Sequence, residues 1–224
     1  MAKVSMVLAA LLWSVLSWAQ DVPTANQWIG LFKEVQQHAL FKDLKVAYAM
    51  APVANVGDSP VGVMPRDGVD CVVLISVGDT TKLSQMMALT SSPEAARAFL
   101  MTIAAHEFGH CFRIRSGNLS VALWQGGLAT AVGSPERQAF EKVISIEEAY
   151  ADAYAFAYVR DAQPRMFAAM FMAMHRLRRE PAFATAFYQV EPLYAQLGSR
   201  GLDDSLPLPM QVEAVMKESK FQLP

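Results

Sequence analysis

The stretch HEFGH, residues 106–110, places two histidines and a glutamate inside the apolar run LMTIAAHEFGHCF. Burying ionisable groups without partners is costly, so such a run predicts either exposure or a bound ligand. On a helix, His106 and His110 lie about 40° apart, so both can direct a ring nitrogen at one point. That arrangement suits a metal ion, and a bound cation removes the burial cost. The sequence therefore predicts a metal site here, with a coincidental pair of core histidines as the alternative.

The spacing His-Glu-x-x-His gives Glu107 a separate role. The glutamate lies beside the metal without coordinating it. From there it can accept a proton from a water molecule whose pKa the metal lowers to about 7. The predicted chemistry is thus general-base catalysis next to a metal ion.

Two histidines leave a catalytic zinc short of a ligand, because such sites usually use three protein ligands. A later helix containing EEAYAD offers Glu148 as the third, with Asp152 on the same face four residues on. Asp152 can accept the free ring N–H of a ligand histidine. Three alternatives remain open. Glu147 could be the ligand, Glu148 could form a capping box with Ser145, and Asp152 could pair with a surface arginine.

In these residues the chain resembles the zincin metallopeptidases, and in particular the gluzincin branch. His106, Glu107 and His110 match the HExxH motif, and Glu148 and Asp152 match that branch's Glu-x-x-x-Asp. The resemblance implies zinc (Zn²⁺) held by both histidines and Glu148, with Glu107 as general base. The order of elements, a strand, the HExxH helix and then the glutamate helix, is also similar to the family.

The resemblance carries two further expectations. Arg113 and Ser116 stand where the metzincin extension needs Gly and His, so that branch is excluded. In zincins the strand before the HExxH helix often forms an edge along which an extended peptide pairs. By analogy, strand 69–78 is expected to be that edge.

A donor for the developing oxyanion is predicted less directly. His175 and Tyr154 are the candidates for catalytic residues of this kind. The alternatives are a surface position for His175 and core packing for Tyr154, which belongs to a stripe of tyrosines at helical spacing. A set of three arginines near His175 is expected to be a solvated helix end rather than an anion site: Arg176, Arg178 and Arg179.

Gly109 is out of place in a helix interior, where it costs roughly 1 kcal/mol relative to Ala. We therefore expect another element to pass close to the helix at this point.

The elements that must position these groups follow from periodicity and turn residues. The predicted class is α+β, a small N-terminal mixed or antiparallel sheet packed on a mainly helical, zincin-like core. Predicted strands cover 44–54, 61–64 and 69–78. Predicted helices cover 24–41 and 93–114, begin at Ser134 and again at Ser145, and number three more over 164–221.

The first nineteen residues predict a secretory signal peptide. Lys3 precedes an apolar run, and Ser17 and Ala19 precede the predicted cut. An uncleaved anchor is the alternative, although the run is shorter than the roughly 20 residues that span a bilayer. Residues 20–224 are then predicted to form one metallopeptidase domain, periplasmic or secreted, without a stable membrane span. In an oxidising compartment Cys71 and Cys111 can pair, with two buried free thiols as the alternative.

The charge composition argues against a nucleic-acid partner. The formal net charge is −2, and no basic tract is present, so no nucleic-acid partner is expected. The sequence predicts an exported zinc metallopeptidase, a hydrolase acting on a peptide or protein substrate, with a regulatory partner left open. The alternative from another class is an exported, non-catalytic binding or assembly protein on a zincin scaffold. A metal-free helical protein is disfavoured.

Overall fold

The computed structural model describes residues 22–52, 59–77, 81–118, 129–180 and 190–219. The predicted signal peptide, residues 1–19, lies outside the described residues. The strands are β1 Val46–Pro52, β2 Val61–Met64 and β3 Cys71–Val77. The helices are α1 Ala25–Gln36, α2 Thr81–Met87, α3 Pro93–Arg115, α4 Pro135–Ala162, α5 Phe167–Arg179, α6 Glu191–Arg200 and α7 Leu208–Glu218. The α+β class is confirmed.

The sheet is mixed, with the strand order β1-β3-β2. β1 runs parallel to β3, and β2 runs antiparallel to it. In this register Val46 lies opposite Cys71, and Val63 lies opposite Val73. The predicted role of strand 69–78 as a free edge is wrong, because β3 pairs on both sides and its backbone groups are already used.

Helix α1 is shorter than predicted but begins where expected. Thr24 and Gln27 form a capping box, in which each side chain accepts a hydrogen bond from the other residue's backbone N–H. The helix ends at Gln36, and turns carry the chain to β1. Leu40 and Phe41 are nevertheless buried, because these turns still lie against the core.

Helix α3 is the central helix and holds the HExxH motif. Its start is as predicted, since the Ser92 side chain accepts a hydrogen bond from the N–H of Ala95, and Pro93 stands in the first turn. Every residue from Ala98 to Cys111 is buried. Helices α1, α4 and α5 and strands β2 and β3 all contact it.

Helix α4 is continuous, so the predicted helix start at Ser145 is wrong. Ser134 caps the whole helix by accepting from the N–H of Arg137. The Ser145 hydroxyl instead donates to the carbonyl of Glu141, one turn back, at 2.9 Å. This bond satisfies serine inside a helix and removes any need for a break. Glu148 therefore has no helix N-terminus to cap.

The described residues of the C-terminal part form three helices, α5 to α7, in agreement with the sequence prediction. A short 3-10 turn at Pro164–Met166 precedes them. α5 contacts α3 and α4, and α7 packs against α4 and α6. Among the described residues no helix combines the length and apolar character that crossing a membrane requires.

Candidate metal centre

Three side chains from α3 and α4 meet at one point. The Nε2 atoms of His106 and His110 lie 3.1 Å apart. Glu148 faces both, with Oε2 3.4 Å from His106 Nε2 and Oε1 3.4 Å from His110 Nε2. Both histidines are buried and Glu148 is nearly so, with 14% of its side chain exposed. The predicted ligand set is thus brought together.

The spacing of these atoms fits a tetrahedral zinc ion. Ligand atoms about 2.0–2.1 Å from such an ion lie roughly 3.4 Å from one another. The observed separations of 3.1–3.4 Å match that value. Imidazole nitrogen and carboxylate oxygen are also donors that zinc accepts. The same distances satisfy an ion pair, so a protonated histidine facing Glu148 is the alternative to a bound cation.

Asp152 lies beneath this cluster and is completely buried. Its Oδ1 is 2.8 Å from His106 Nδ1, as the sequence predicts for a partner of a ligand histidine. The alternative of a surface ion pair is wrong, because the arginine that Asp152 binds is the buried Arg178. Arg178 Nη2 donates to Oδ1 at 2.6 Å and Nε donates to Oδ2 at 3.0 Å. The Tyr194 hydroxyl donates to Oδ2 at 2.9 Å.

These contacts set the charges of the cluster. Burial raises the pKa of Asp152, but the charge of Arg178 and the hydrogen bond from His106 outweigh it, and the pKa falls to about 2. Burial similarly opposes ionisation of Glu148, yet the nearby His110 and His106 hold its pKa well below the ordinary value. Burial lowers the pKa of His106, but hydrogen bonds and charges from Asp152 and Glu148 raise it to about 9. Asp152 and Glu148 are therefore ionised, and together they stabilise positive charge at His106, whether that charge is a proton or a bound cation.

Glu107 is buried beside the cluster and behaves differently from the other carboxylates. Burial raises its pKa, while His106 and His110 oppose that rise. A carboxylate whose pKa lies above its usual range accepts a proton more readily than an exposed glutamate does. This matches the general-base role that the spacing predicts.

Gly109 allows α3 and α4 to approach closely at the group of predicted metal ligands, His106, His110 and Glu148, which we call the metal cluster. A Cβ atom added to Gly109 would lie 2.7 Å from Ala151 Cα and 3.1 Å from Tyr154 Cβ. Real Cβ atoms do not approach a backbone atom so closely, so only glycine fits without movement. The predicted close approach of another element at this position is confirmed.

Glu147 points away from the cluster, which removes the alternative that it is the third ligand. Its carboxylate binds Arg113 through two hydrogen bonds, from Nε at 2.8 Å and from Nη2 at 2.7 Å. Arg113 also lies over the Tyr150 ring. A residue one position from Glu148 is rotated by about 100° on the helix, which explains this different partner.

The two predicted oxyanion donors have other neighbours. The His175 ring stacks on Tyr194, with ring centres 4.9 Å apart, and its Nε2 lies 3.3 Å from Glu191. Tyr154 is buried and stacks on Phe112, with ring centres 5.1 Å apart. Burial raises the Tyr154 pKa to about 12. Within the described residues no hydrogen bond or ion pair joins either side chain to the three ligands, and their catalytic roles stay predictions.

Two residues of the site were missed by sequence reasoning, Arg178 and Tyr194. Arg176 and Arg179 are exposed, as expected for a solvated helix end, but for Arg178 that expectation is wrong because its side chain is buried. One signal could have shown this. Arg178 continues the buried stripe of Met170 and Met174 at four-residue spacing. Tyr194 carries no comparable signal.

The two cysteines form a disulfide between the start of β3 and the end of the motif. Cys71 and Cys111 have Cα atoms 5.3 Å apart and are both buried. Cys111 directly follows His110, so the bond ties the metal cluster to the sheet.

Comparisons of the chain with protein-family models, with curated proteins and with solved structures show no match.

Proposed function

We propose that the chain is an exported zinc-dependent metallopeptidase of the gluzincin type, which hydrolyses peptide bonds. One observation carries the proposal. His106, His110 and Glu148 converge at separations of 3.1–3.4 Å, and a buried Glu107 lies beside them without being one of the three donors. These three residues would hold the ion.

The chemistry divides between the ion and the protein. A zinc ion bound there would supply Lewis acidity, which polarises a carbonyl group and makes water more acidic. Glu107 accepts the proton of the attacking water and later donates it to the leaving amine. Its raised pKa supports the first transfer, because the buried carboxylate has a higher proton affinity than an exposed glutamate. Asp152 holds the His106 proton on Nδ1, so Nε2 keeps its lone pair for the metal.

Two features of the whole chain support the rest of the proposal. β3 precedes the HExxH helix α3, with the short helix α2 between them, and the glutamate helix α4 follows. This order of strand, HExxH helix and glutamate helix is similar to that of the zincins and supports a zincin-like core. The disulfide between Cys71 and Cys111 supports export, because such bonds persist mainly outside the reducing cytosol.

Two measurements test the proposal. The first is the amount of zinc bound per chain, and the second is the cleavage of unfolded protein substrates, detected by mass spectrometry. We expect Glu107→Gln to keep the zinc and lose about 10²–10⁴-fold in rate, since it cannot accept a proton. His110→Ala and Glu148→Ala should lose zinc and activity together. Glu34→Gln, on the exposed surface of α1, serves as the matched control and should behave as wild type.

Two results would overturn the proposal. A folded wild-type protein that binds no zinc would remove the metal site. Hydrolysis by Glu107→Gln at the wild-type rate would remove the mechanism. A biological effect that survives in Glu107→Gln, without any hydrolysis by the wild type, would identify the non-catalytic scaffold protein instead.

A further inference from the structure

The C-terminal helices α5 and α6 contribute two buried side chains to the underside of the metal cluster. Arg178 comes from α5 and Tyr194 from α6, and both donate to Asp152. We propose that Arg178 and Tyr194 are positioning residues of the metal centre, which fix Asp152 and through it the ring of His106. This inference rests on the proposed zinc site and adds a requirement for the C-terminal helices.

The hydrogen bonds of Asp152 leave it no freedom to move. A carboxylate offers about four lone-pair positions. Oδ1 accepts from His106 Nδ1 and Arg178 Nη2, and Oδ2 accepts from Arg178 Nε and the Tyr194 hydroxyl. All four positions are occupied, and Asp152 is completely buried. Removing one donor would let the carboxylate rotate and would move the His106 ring with it.

Arg178 also acts on the ligands directly. Its Nη2 lies 3.4 Å from Glu148 Oε2 and 3.3 Å from His106 Nδ1, besides the bond to Asp152. One planar guanidinium group therefore touches two carboxylates and a ligand ring. A lysine could supply the charge but not the two parallel hydrogen bonds to Asp152, because it is a single point donor.

The Tyr194 hydroxyl is held in place by the ring that carries it. That ring packs against Phe156 and Phe171, with ring centres 5.6 and 5.5 Å away, and stacks on His175. Only 2% of Tyr194 is exposed. A hydroxyl fixed in this way supplies orientation and not just another hydrogen bond, because the ring cannot turn to follow a moving carboxylate.

Charge balance gives the same assignment. Three carboxyl groups lie at this cluster, those of Glu107 and Asp152, which are buried, and that of Glu148, which is nearly so. Arg178 is a buried cation that contacts Glu148 and Asp152. With all three ionised, one arginine and one divalent ion neutralise the set. Without Arg178, the divalent ion would leave one negative charge buried and uncompensated.

The experiment measures zinc affinity by chelator competition in the full chain, with the visible absorption spectrum of the cobalt-substituted protein as a second readout. Tyr194→Phe removes one hydroxyl and keeps the ring. Arg178→Lys keeps the charge and removes the pair of parallel hydrogen bonds to Asp152. We expect each to weaken zinc binding by about 10–100-fold and to alter the cobalt spectrum, since the ligand geometry changes. Arg178→Met should weaken binding more than Arg178→Lys, so that lysine gives partial rescue.

Two control variants separate this role from general stabilisation. Tyr48→Phe removes a tyrosine hydroxyl that donates to Gln36, away from the metal cluster. Arg113→Lys removes the two-bond contact with Glu147 between the same helices, α3 and α4. Both can lower the melting temperature, but neither should change zinc affinity or the cobalt spectrum.

The outcomes distinguish this inference from the proposed function. Folded Tyr194→Phe and Arg178→Lys that bind zinc as tightly as wild type, with an unchanged cobalt spectrum, would overturn the inference alone. If Tyr194→Phe and Arg178→Lys both bind zinc more weakly than wild type, and the wild type binds zinc but hydrolyses no peptide, the inference is supported and only the proposed peptidase function is overturned. A folded wild-type protein without zinc affinity would overturn both.

Discussion

His106 uses its two ring nitrogens for different purposes. Nδ1 lies 2.8 Å from the ionised Asp152, so its proton is held there. In the neutral ring that a metal would bind, Nε2 then carries the lone pair, and this nitrogen faces His110 and Glu148. In His110 the other nitrogen, Nδ1, is buried and has no hydrogen-bond partner among the described residues. His106 is therefore the more firmly oriented of the two predicted ligands.

Adjacent glutamates on α4 have opposite roles, and exchanging each for glutamine should separate them. Glu148→Gln removes a ligand charge, so zinc affinity should fall by more than the about 10–100-fold expected when only a partner of a ligand is lost. Glu147→Gln leaves Arg113 without its carboxylate, so the free energy of unfolding should fall by about 2 kcal/mol. Chelator competition and urea unfolding measure the two quantities.

Each variant is the control for the other, since both replace a carboxylate by an amide of the same shape. Loss of zinc binding in a folded Glu147→Gln protein, with normal binding in Glu148→Gln, would contradict the assignment of the ligand.

Spacing along one helix made the two histidines and Glu107 recognisable as a possible metal site, whereas the residues that hold Asp152 lie far along the chain and gave no such signal. His106, Glu107 and His110 lie within two turns of one helix, so their relative directions follow from helix geometry alone. Arg178 and Tyr194 lie 26 and 42 residues beyond Asp152. Their contact with it depends on how α5 and α6 pack, which no local pattern encodes.

At the scale of helices, local hydrogen bonds explain both the correct and the wrong boundaries. Ser92 and Ser134 each precede a proline and a glutamate, and each caps a helix. Ser145 is also followed two residues later by a glutamate, but it has no proline after it, and its hydroxyl bonds to Glu141 inside α4. A serine can satisfy itself in either setting, so packing of the flanking turns decides, and here Ile144 and Ile146 are buried within one continuous helix.

Because α3 and α4 are in close contact at Gly109, we expect the substitution of glycine by alanine to change stability in opposite directions at Gly109 and at Gly30. Gly109→Ala should lower the free energy of unfolding by about 2 kcal/mol, because the added methyl group meets the Ala151 backbone and forces the helices apart. Gly30→Ala, in α1, meets nothing within 4 Å and should raise it by about 0.5–1 kcal/mol through helix propensity. Urea unfolding of both variants in excess chelator gives the two values.

The opposite signs make the comparison informative, since the same substitution is made in a helix each time. A Gly109→Ala protein as stable as Gly30→Ala would show that α3 and α4 do not approach as closely as described.

At the scale of the whole molecule, α3 is held from two directions. The N-terminal sheet is joined to it through Cys71 and Cys111. The C-terminal helices reach it through Arg178, which lies 3.3 Å from His106, and through Asp152, which Arg178 and Tyr194 bind and which contacts His106. The metal cluster lies between these attachments. The N-terminal sheet and the C-terminal helices must therefore both be folded before the three predicted ligands have fixed positions.

The attachment to the sheet can be removed without touching a ligand. The disulfide closes a loop with a sequence separation of 40, so its loss should lower the free energy of unfolding by about 4 kcal/mol through unfolded-chain entropy. The double variant Cys71→Ala/Cys111→Ala and the reduced wild type should be destabilised alike in urea. Adding a reductant should destabilise the wild type and leave the double variant unchanged, which separates the bond from the side chains. Because Cys111 follows His110, zinc should also bind more weakly to both forms. Equal stability and zinc affinity with and without the bond would show that packing holds α3 in place without the disulfide.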